Sequence, residues 1–313
     1  MNTPPLVSIG IPTFNRAGSL ARALESVVAQ DYSGWEILVS DNASSDETEA
    51  VCERFSRQDA RIRFVRQPKN MGAQYNFNFV LQQSSRKYFL WLADDDWLCS
   101  QFLSRGVDAL ENDPQCALAV GRVNYFQGNR LAYQEPEIAL CQASGSARVL
   151  AYYAHVTENG QMYGLMRRSL LAPALLPRNV IGSDWLFVAA LLFQGKAADV
   201  GATCVNRSLG GTSQDRRRMA VSLGFSRMQA SHPYLCIAGF AFQEIAWASP
   251  AYASLPKTAR LRLAGASAAL IWRRYGVRFY GVALAKRIAP AWLYSRLRNA
   301  YRKARLFNPE SNG

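Results

Sequence analysis

The chain has 313 residues, of which 49% are hydrophobic and 19% charged, a balance that excludes a disordered or fibrous protein. The length exceeds a typical single domain, so one large core with an appended C-terminal piece is expected. A formal net charge of +13 calls for an acidic counterpart, which anionic lipid, nucleic acid or a phosphate-bearing substrate would each supply.

Val7 to Ile11 reads as a β-branched strand ending at Pro12. The loop Thr13-Phe14-Asn15-Arg16 follows, and Leu20, Ala23, Leu24, Val27 and Val28 then recur at helical spacing. The unit repeats. Trp35 to Ser40 is a second apolar run closed by Asp41-Asn42-Ala43-Ser44-Ser45-Asp46, whose capping residues introduce a helix through Phe55. Arg61 to Arg66 reads as a third strand, Asn70 to Ser84 as loop and helix, and Tyr88 to Leu92 as a fully buried fourth strand. This alternation predicts an α/β fold with a mostly parallel sheet covered by helices on both faces. Further on, the pattern predicts a helix over 102–111, a strand over 117–126 and a turn at Gly128-Asn129. A strand at 162–166, a short helix at 170–176, an apolar helix at 184–193 and a last strand at 198–206 follow, with the core closing near residue 215. Residues 134–146 are polar and poorly periodic. Beyond 215 the pattern is helical over 220–247, 257–275 and 279–305, with no uncharged window long enough to span a membrane.

Ligands of open α/β sheets bind outside the carboxyl ends of the strands, so the loop at 13–16, the pair Asp41-Asn42 and the triplet Asp94-Asp95-Asp96 should meet in one crevice. Neither the dinucleotide-binding glycine pattern nor a P-loop follows the first strand, which disfavours dehydrogenases and P-loop kinases. Three consecutive aspartates repel one another unless a cation neutralises them, and hard oxygen ligands select Mg²⁺ or Mn²⁺. The same triplet also reads as a solvated loop capping the helix near Phe102.

The run Val7 to Arg16, the run Leu38 to Asp46 and Leu92-Ala93-Asp94-Asp95-Asp96 together resemble the family 2 inverting glycosyltransferases, most strongly over about residues 5 to 110. That resemblance implies the GT-A fold, the nucleotide-diphospho-sugar transferase fold, and a nucleotide-diphosphate sugar as donor. It implies that Pro12, Thr13, Asn15 and Arg16 lie against the nucleotide, and that Asp41 accepts from a uracil or thymine N–H. Asp94 and Asp95 would approach the ribose, with Asp95 and Asp96 holding metal. Ala93 departs from the family pattern, which often has an acidic residue there, so the frame within the triplet stays open. Asn70 resembles the asparagine before the third helix and reads equally as an N-cap. Gly182-Ser183-Asp184-Trp185 resembles the family's later acidic motif, which makes Asp184 the general base. Its place at a helix N-terminus would lower its pKa, and it also reads as a plain cap.

By these readings residues 1–215 form the catalytic domain, with 1–110 binding nucleotide sugar and 111–215 the acceptor, and 216–313 a basic helical region. The positive excess lies there, at Arg216 to Arg218, Arg260, Arg262, Arg273, Arg274, Lys286, Arg287 and between Arg296 and Arg305. Basic residues interleaved with Trp272, Trp292, Tyr294 and Tyr301 suit an anionic membrane surface, and equally a helical pair packed on the core or on a second subunit. Gly210-Gly211 with Arg216 to Arg218 reads as a lid over the diphosphate or as a solvated loop. The six cysteines show no zinc-ligand spacing and read as buried free thiols of a cytoplasmic protein, with no signal-peptide pattern after Met1. The expected function is sugar transfer from a UDP- or dTDP-sugar to a glycan or lipid-diphosphate-linked acceptor in surface polysaccharide assembly, at the inner face of the plasma membrane. The competing readings are a sugar-1-phosphate nucleotidyltransferase and a non-catalytic membrane- or nucleic-acid-binding protein. No nucleic-acid motif supports the latter.

Overall fold

The computed structural model describes residues 6–175, 179–209 and 223–288. Strand β1 (Val7–Thr13) is buried along its whole length, as a central parallel strand covered on both faces must be. It pairs in parallel with β2 (Trp35–Asp41) and β4 (Tyr88–Trp91), and β2 pairs in parallel with β3 (Ile62–Arg66). Helix α1 (Ala17–Val28) turns Leu20, Ala23, Leu24 and Val27 inward, at the i, i+3, i+4, i+7 spacing of one apolar face. Helices α2 (Thr48–Gln58) and α3 (Ala73–Gln82) complete the repeating units. Helix α3 lies so close to β1 that a Cβ on Gly10 would stand 2.6 Å from Val80 Cγ2.

Past β4 the sheet becomes mixed. Its order is β3-β2-β1-β4-β8-β6-β9-β5, with β7 on β6, where β5 is Trp97–Leu98, β6 Cys116–Gln127, β7 Arg130–Gln134, β8 Leu165–Arg167 and β9 Lys196–Ser208. Strand β8 runs antiparallel to β4 and β6, while β6 and β9 run parallel. The expected mostly parallel sheet therefore holds for β1 to β4 and gives way to antiparallel insertion at β8 and β5. Helix α4 (Phe102–Asn112) stands as expected, and the strand expected at 162–166 is shortened, because 160–163 winds as a single 3₁₀ turn.

Two elements carry no clear pattern in sequence. Strand β7 is exposed throughout, so nothing selects an alternation. Helix α5 (Gly145–His155) buries Arg148, Val149, Tyr152 and Tyr153, and half of that face is polar to the eye. The buried Arg148 donates from Nε to the Leu192 carbonyl at 2.7 Å and from Nη2 to the Phe193 carbonyl at 3.2 Å. Those carbonyls belong to the last turn of α6 (Ser183–Gln194), where a cation is favourable.

The C-terminal helices are α7 (Arg227–Ser231), α8 (Pro233–Gln243), α9 (Lys257–Ile271) and α10 (Val277–Ile288). They share a core with the sheet domain: Ile237, Ala241, Leu263, Ala264 and Ile271 lie in one buried cluster with Tyr152, Leu186 and Leu191. The suggested closure near residue 215, the Gly210-Gly211 loop, Arg216 to Arg218 and the basic stretch from Arg296 lie outside the described residues. Among the described residues no helix is long and apolar enough to cross a membrane.

The cysteine expectation is corrected. Cys99, just after β5, is disulfide-bonded to Cys204 of β9, and of the free cysteines Cys52, Cys116 and Cys236 are buried whereas Cys141 is exposed. The pairing arises from strand adjacency across 105 residues of sequence, a relation that local spacing does not encode.

Because the C-terminal helices share the core, Ile271→Ala, at a fully buried position, is expected to lower the midpoint of one cooperative urea transition by the equivalent of about 2–5 kcal/mol. Two separate transitions, with only the second affected, would contradict a shared core.

Candidate active site

The loops after β1 and β2 are stitched together by their own polar side chains. Asn15 takes a left-handed backbone (φ 53°), its N–H donates to Ser44 Oγ at 2.8 Å and its side-chain oxygen accepts from Ser45 N at 2.7 Å. Arg16 N donates to Thr48 Oγ1 at 3.1 Å. Pro12 and Thr13 are buried at the end of β1, opposite Ser40 and Asp41 of β2. Asn70 is exposed, and its amide oxygen accepts from Asn42 Nδ2 at 2.8 Å and Gly72 N at 2.9 Å. Gly72 is the N-cap of α3, so Asn70 braces the loop and the N-cap reading is set aside.

Asp41 is fully buried and points one carboxylate oxygen at Ser44 N, at 3.0 Å. The other oxygen, Oδ2, has no hydrogen-bond donor among the described residues, and Arg66 Nη1 lies 3.6 Å from it. An unsatisfied buried carboxylate oxygen is costly, and a ligand N–H would remove that cost.

The aspartate triplet follows β4, and its carboxylates diverge. Asp94 Oδ2 accepts from Phe14 N at 3.4 Å. Burial, and then the neighbouring charge of Asp95, push the Asp94 carboxyl up to about 7. Asp95 faces outward with Arg16 Nη1 at 4.0 Å, while its carbonyl accepts from Arg22 Nη2 at 3.0 Å and Ser208 Oγ at 2.7 Å. Asp96 is 1% exposed and points inward, accepting from Arg207 Nε at 3.0 Å and Ser208 N at 3.1 Å. Burial raises its carboxyl to about 6 against the opposing charge of Arg207. Helix α4 is capped by Gln101 without any side-chain bond, so the triplet is not a helix cap.

Sequence reasoning missed Arg207. Its Nη1 donates to Tyr125 Oη at 3.0 Å and its Nη2 to Tyr163 Oη at 3.4 Å. Burial opposes its charge, but Tyr163, Asp96 and Tyr125 outweigh that and hold it firmly protonated. The available signal was a lone arginine in the otherwise apolar-to-neutral end of the last strand.

Asp184 sits in the first turn of α6, behind the left-handed N-cap Gly182. Its Oδ2 accepts from Asn159 Nδ2 at 2.8 Å, and Asn159 is itself fixed by Tyr152 Oη at 2.6 Å and by a left-handed backbone. The expected lowering of its pKa is overturned: burial raises it, against the Asn159 bond, the helix N-terminal amides and the charge of Arg207. Glu135, buried on the far side, accepts from Thr157 Oγ1 at 3.0 Å and Gly160 N at 3.0 Å and so fixes the turn that carries Asn159. Neither Asn159 nor Glu135 was singled out in sequence, although Asn159-Gly160 is a turn pair whose asparagine readily takes a left-handed backbone. Burial pushes the Tyr163 hydroxyl up to about 12, against the charge of Arg207, with Asp96, Asp95 and Asp184 adding to the rise.

Around the site, Trp97 stacks under Arg22 at 3.8 Å and Trp185 packs edge-on against Tyr275 at 5.0 Å. His232 Nδ1 meets Tyr280 Oη at 2.6 Å. Among the described residues no group of three or more His, Cys, Asp or Glu side chains is arranged to hold a metal ion alone. Asp95 and Asp96 carry the hard oxygen donors that Mg²⁺ or Mn²⁺ takes, and since their carboxylates point apart here, both reach one ion when Asp96 turns from Arg207 and a ligand supplies the remaining oxygens.

A model described as glycosyl transferase family 2 matches residues 8–172, and the chain belongs to that family. The chain is 41% identical over 101 residues to a GalNAc(5)-diNAcBac-PP-undecaprenol beta-1,3-glucosyltransferase of Campylobacter jejuni, a match covering 32% of this chain and 33% of that one. It is 34% identical over 97 residues to the UDP-Glc:alpha-D-GlcNAc-diphosphoundecaprenol beta-1,3-glucosyltransferase WfgD of Escherichia coli, covering 31% and 38%. These matches span little more than a third of either relative. Among solved structures, the mannosyltransferase PcManGT of Pyrobaculum calidifontis in complex with GDP-Man and Mn²⁺ superposes with a TM-score of 0.54 at 16% identity, covering 98% of this chain and 82% of that one. S. aureus TarS 1–349 in complex with UDP-GlcNAc superposes with a TM-score of 0.55 at 16% identity, covering 95% and 92%. The fold is GT-A with a helical C-terminal region.

The raised carboxyls fix a sign for pH. A carboxyl whose folded pKa is raised contributes stability that is complete below its ordinary 3.8 and lost as pH rises, here through about 7 for Asp94. Asp94→Asn is therefore expected to melt at least about 2 °C above the unsubstituted protein at pH near 8, with the gap closing by pH near 4. An unchanged difference across that range, followed by scanning fluorimetry, would contradict the shift.

Proposed function

We propose that the chain is an inverting, metal-dependent glycosyltransferase that moves a sugar from a UDP- or dTDP-sugar to a glycan or lipid-diphosphate-linked acceptor in surface polysaccharide assembly. The observation that carries this reading is a pair of fixed acidic groups, Asp184 held by Asn159 and the aspartate cluster tied through Asp96 to the buried Arg207. The family and the undecaprenol-linked acceptors named for two relatives support the substrate classes.

The free Oδ2 of Asp41 accepts the ring N–H of the pyrimidine. Pro12, Thr13, Asn15, Arg16 and Asn70 form the wall against which base and ribose lie, and Asp94 and Asp95 approach the ribose. Asp95 and Asp96 would hold a divalent cation, whose chemistry is to neutralise the departing diphosphate. Asp184 takes the proton of the acceptor hydroxyl as its oxygen attacks the anomeric carbon. The bond from that carbon to the diphosphate breaks with its electron pair leaving on the phosphate oxygen, which inverts the centre. The raised pKa of Asp184 suits this role, because a stronger base sits nearer the working pH.

The C-terminal helices expose apolar and basic groups alike, Trp247, Leu261 and Trp272 as well as Arg262, Arg273 and Arg274. We place these helices against an anionic bilayer at the cytoplasmic face of the plasma membrane, with a homo-oligomer contact as the competing use. Flotation with vesicles containing phosphatidylglycerol, and none with neutral phosphatidylcholine vesicles, is the expected result; equal behaviour with both excludes electrostatic docking.

Calorimetry should show UDP or dTDP binding that strengthens with Mn²⁺. Asp184→Asn is expected to bind donor as before and to lose transfer by about 10²–10⁴-fold. Retained turnover would remove Asp184 from the base role.

A further inference from the structure

Asp96, the proposed cation ligand, is already paired in this structure. Asp96 Oδ2 receives Arg207 Nε at 3.0 Å, and a guanidinium and a divalent cation cannot share one carboxylate oxygen at bonding distance. The surroundings allow that pair to open without losing either partner's place. Asp96 keeps its second bond, from Ser208 N to Oδ1 at 3.1 Å. Arg207 keeps Tyr125 Oη at 3.0 Å and Tyr163 Oη at 3.4 Å, with the Tyr163 ring 4.3 Å from its central carbon. A planar fork with N–H groups to spare is suited to phosphate oxygens.

Resting on the glycosyl-transfer reading above, we propose that Arg207 is an exchangeable counter-ion. In the free protein it reserves Asp96. When the donor's diphosphate enters, the guanidinium moves its N–H bond from Asp96 to a diphosphate oxygen, and Asp96 is released to the divalent cation. Arg207 is thus a diphosphate-binding residue and the element that couples cation to nucleotide. Cation alone binds weakly, because it must displace a buried ion pair, whereas cation and nucleotide diphosphate each promote the other by the same factor. A pair that stays closed throughout gives no such coupling through Arg207.

The test is Mn²⁺ binding, read from the electron paramagnetic resonance of free Mn²⁺, without nucleotide and with UDP or dTDP. In the unsubstituted protein nucleotide should raise Mn²⁺ affinity by about tenfold or more. In Arg207→Gln, Mn²⁺ alone should bind several-fold more tightly and the nucleotide effect should fall several-fold, to the part that the diphosphate's own oxygens give the cation. Loss of a positive field alone would raise Mn²⁺ affinity equally with and without nucleotide, so the collapse of coupling is the decisive reading. Arg207→Lys keeps the charge and most of the stem but cannot reach Asp96 and both tyrosines at once. Should the glutamine variant fail to fold, reduced coupling in the lysine variant supports the exchange. Full coupling retained in either folded variant overturns it. An unsubstituted protein that takes up neither nucleotide overturns the donor-binding reading, and the exchange falls with it.

Discussion

The ion pair between Asp96 and Arg207 is the constraint on which the rest of the site depends. It joins the turn after β4 to the end of β9, two segments 111 residues apart in sequence. Ser208 fastens the same junction through its amide to Asp96 and its hydroxyl to the Asp95 carbonyl, and the Cys99–Cys204 disulfide closes the strands just behind it. A buried pair of this kind adds little net stability, because desolvation offsets much of the attraction, yet removing either partner strands a charge. Its value here is positional. It holds the guanidinium against Asp96, where the hydroxyls of Tyr125 and Tyr163 also receive it.

Much of the nucleotide half was legible in sequence because it is built from short local units. Each strand from β1 to β4 is a continuous apolar run, and each polar cluster lies at its carboxyl end, where chain direction alone brings the loops together. The second half was less legible for a physical reason. Asn159, Glu135 and Arg207 gain their meaning from neighbours 25 to 111 residues away, such as Asp184, Gly160 and Asp96, and no local period marks them. Helix α5 hid behind Arg148, whose charge looks like surface until the carbonyls of α6 are seen to receive it. The direction of the Asp184 shift was misread because the helix terminus is visible in sequence and burial is not.

Backbone strain is concentrated at the site. Among the described residues the non-glycine positions with left-handed backbone are Asn15, Ala43 and Asn159. Asn15 clamps the first loop to the second, Ala43 turns the chain between Asp41 and Ser44, and Asn159 presents its amide to Asp184. Such conformations persist only where the surroundings over-determine them. Each of these is held by bonds on both sides, so the surroundings set the positions of Asp41 and Asp184 before any ligand arrives.

The C-terminal helices belong to the same logic. The hydroxyl of Tyr275 donates to the carbonyls of Tyr153 and Val156, at the end of α5, three residues before Asn159. Its ring packs on Trp185, the residue after Asp184. The support for the proposed base therefore comes from two directions, Glu135 beneath the Asn159 turn and Tyr275 behind it.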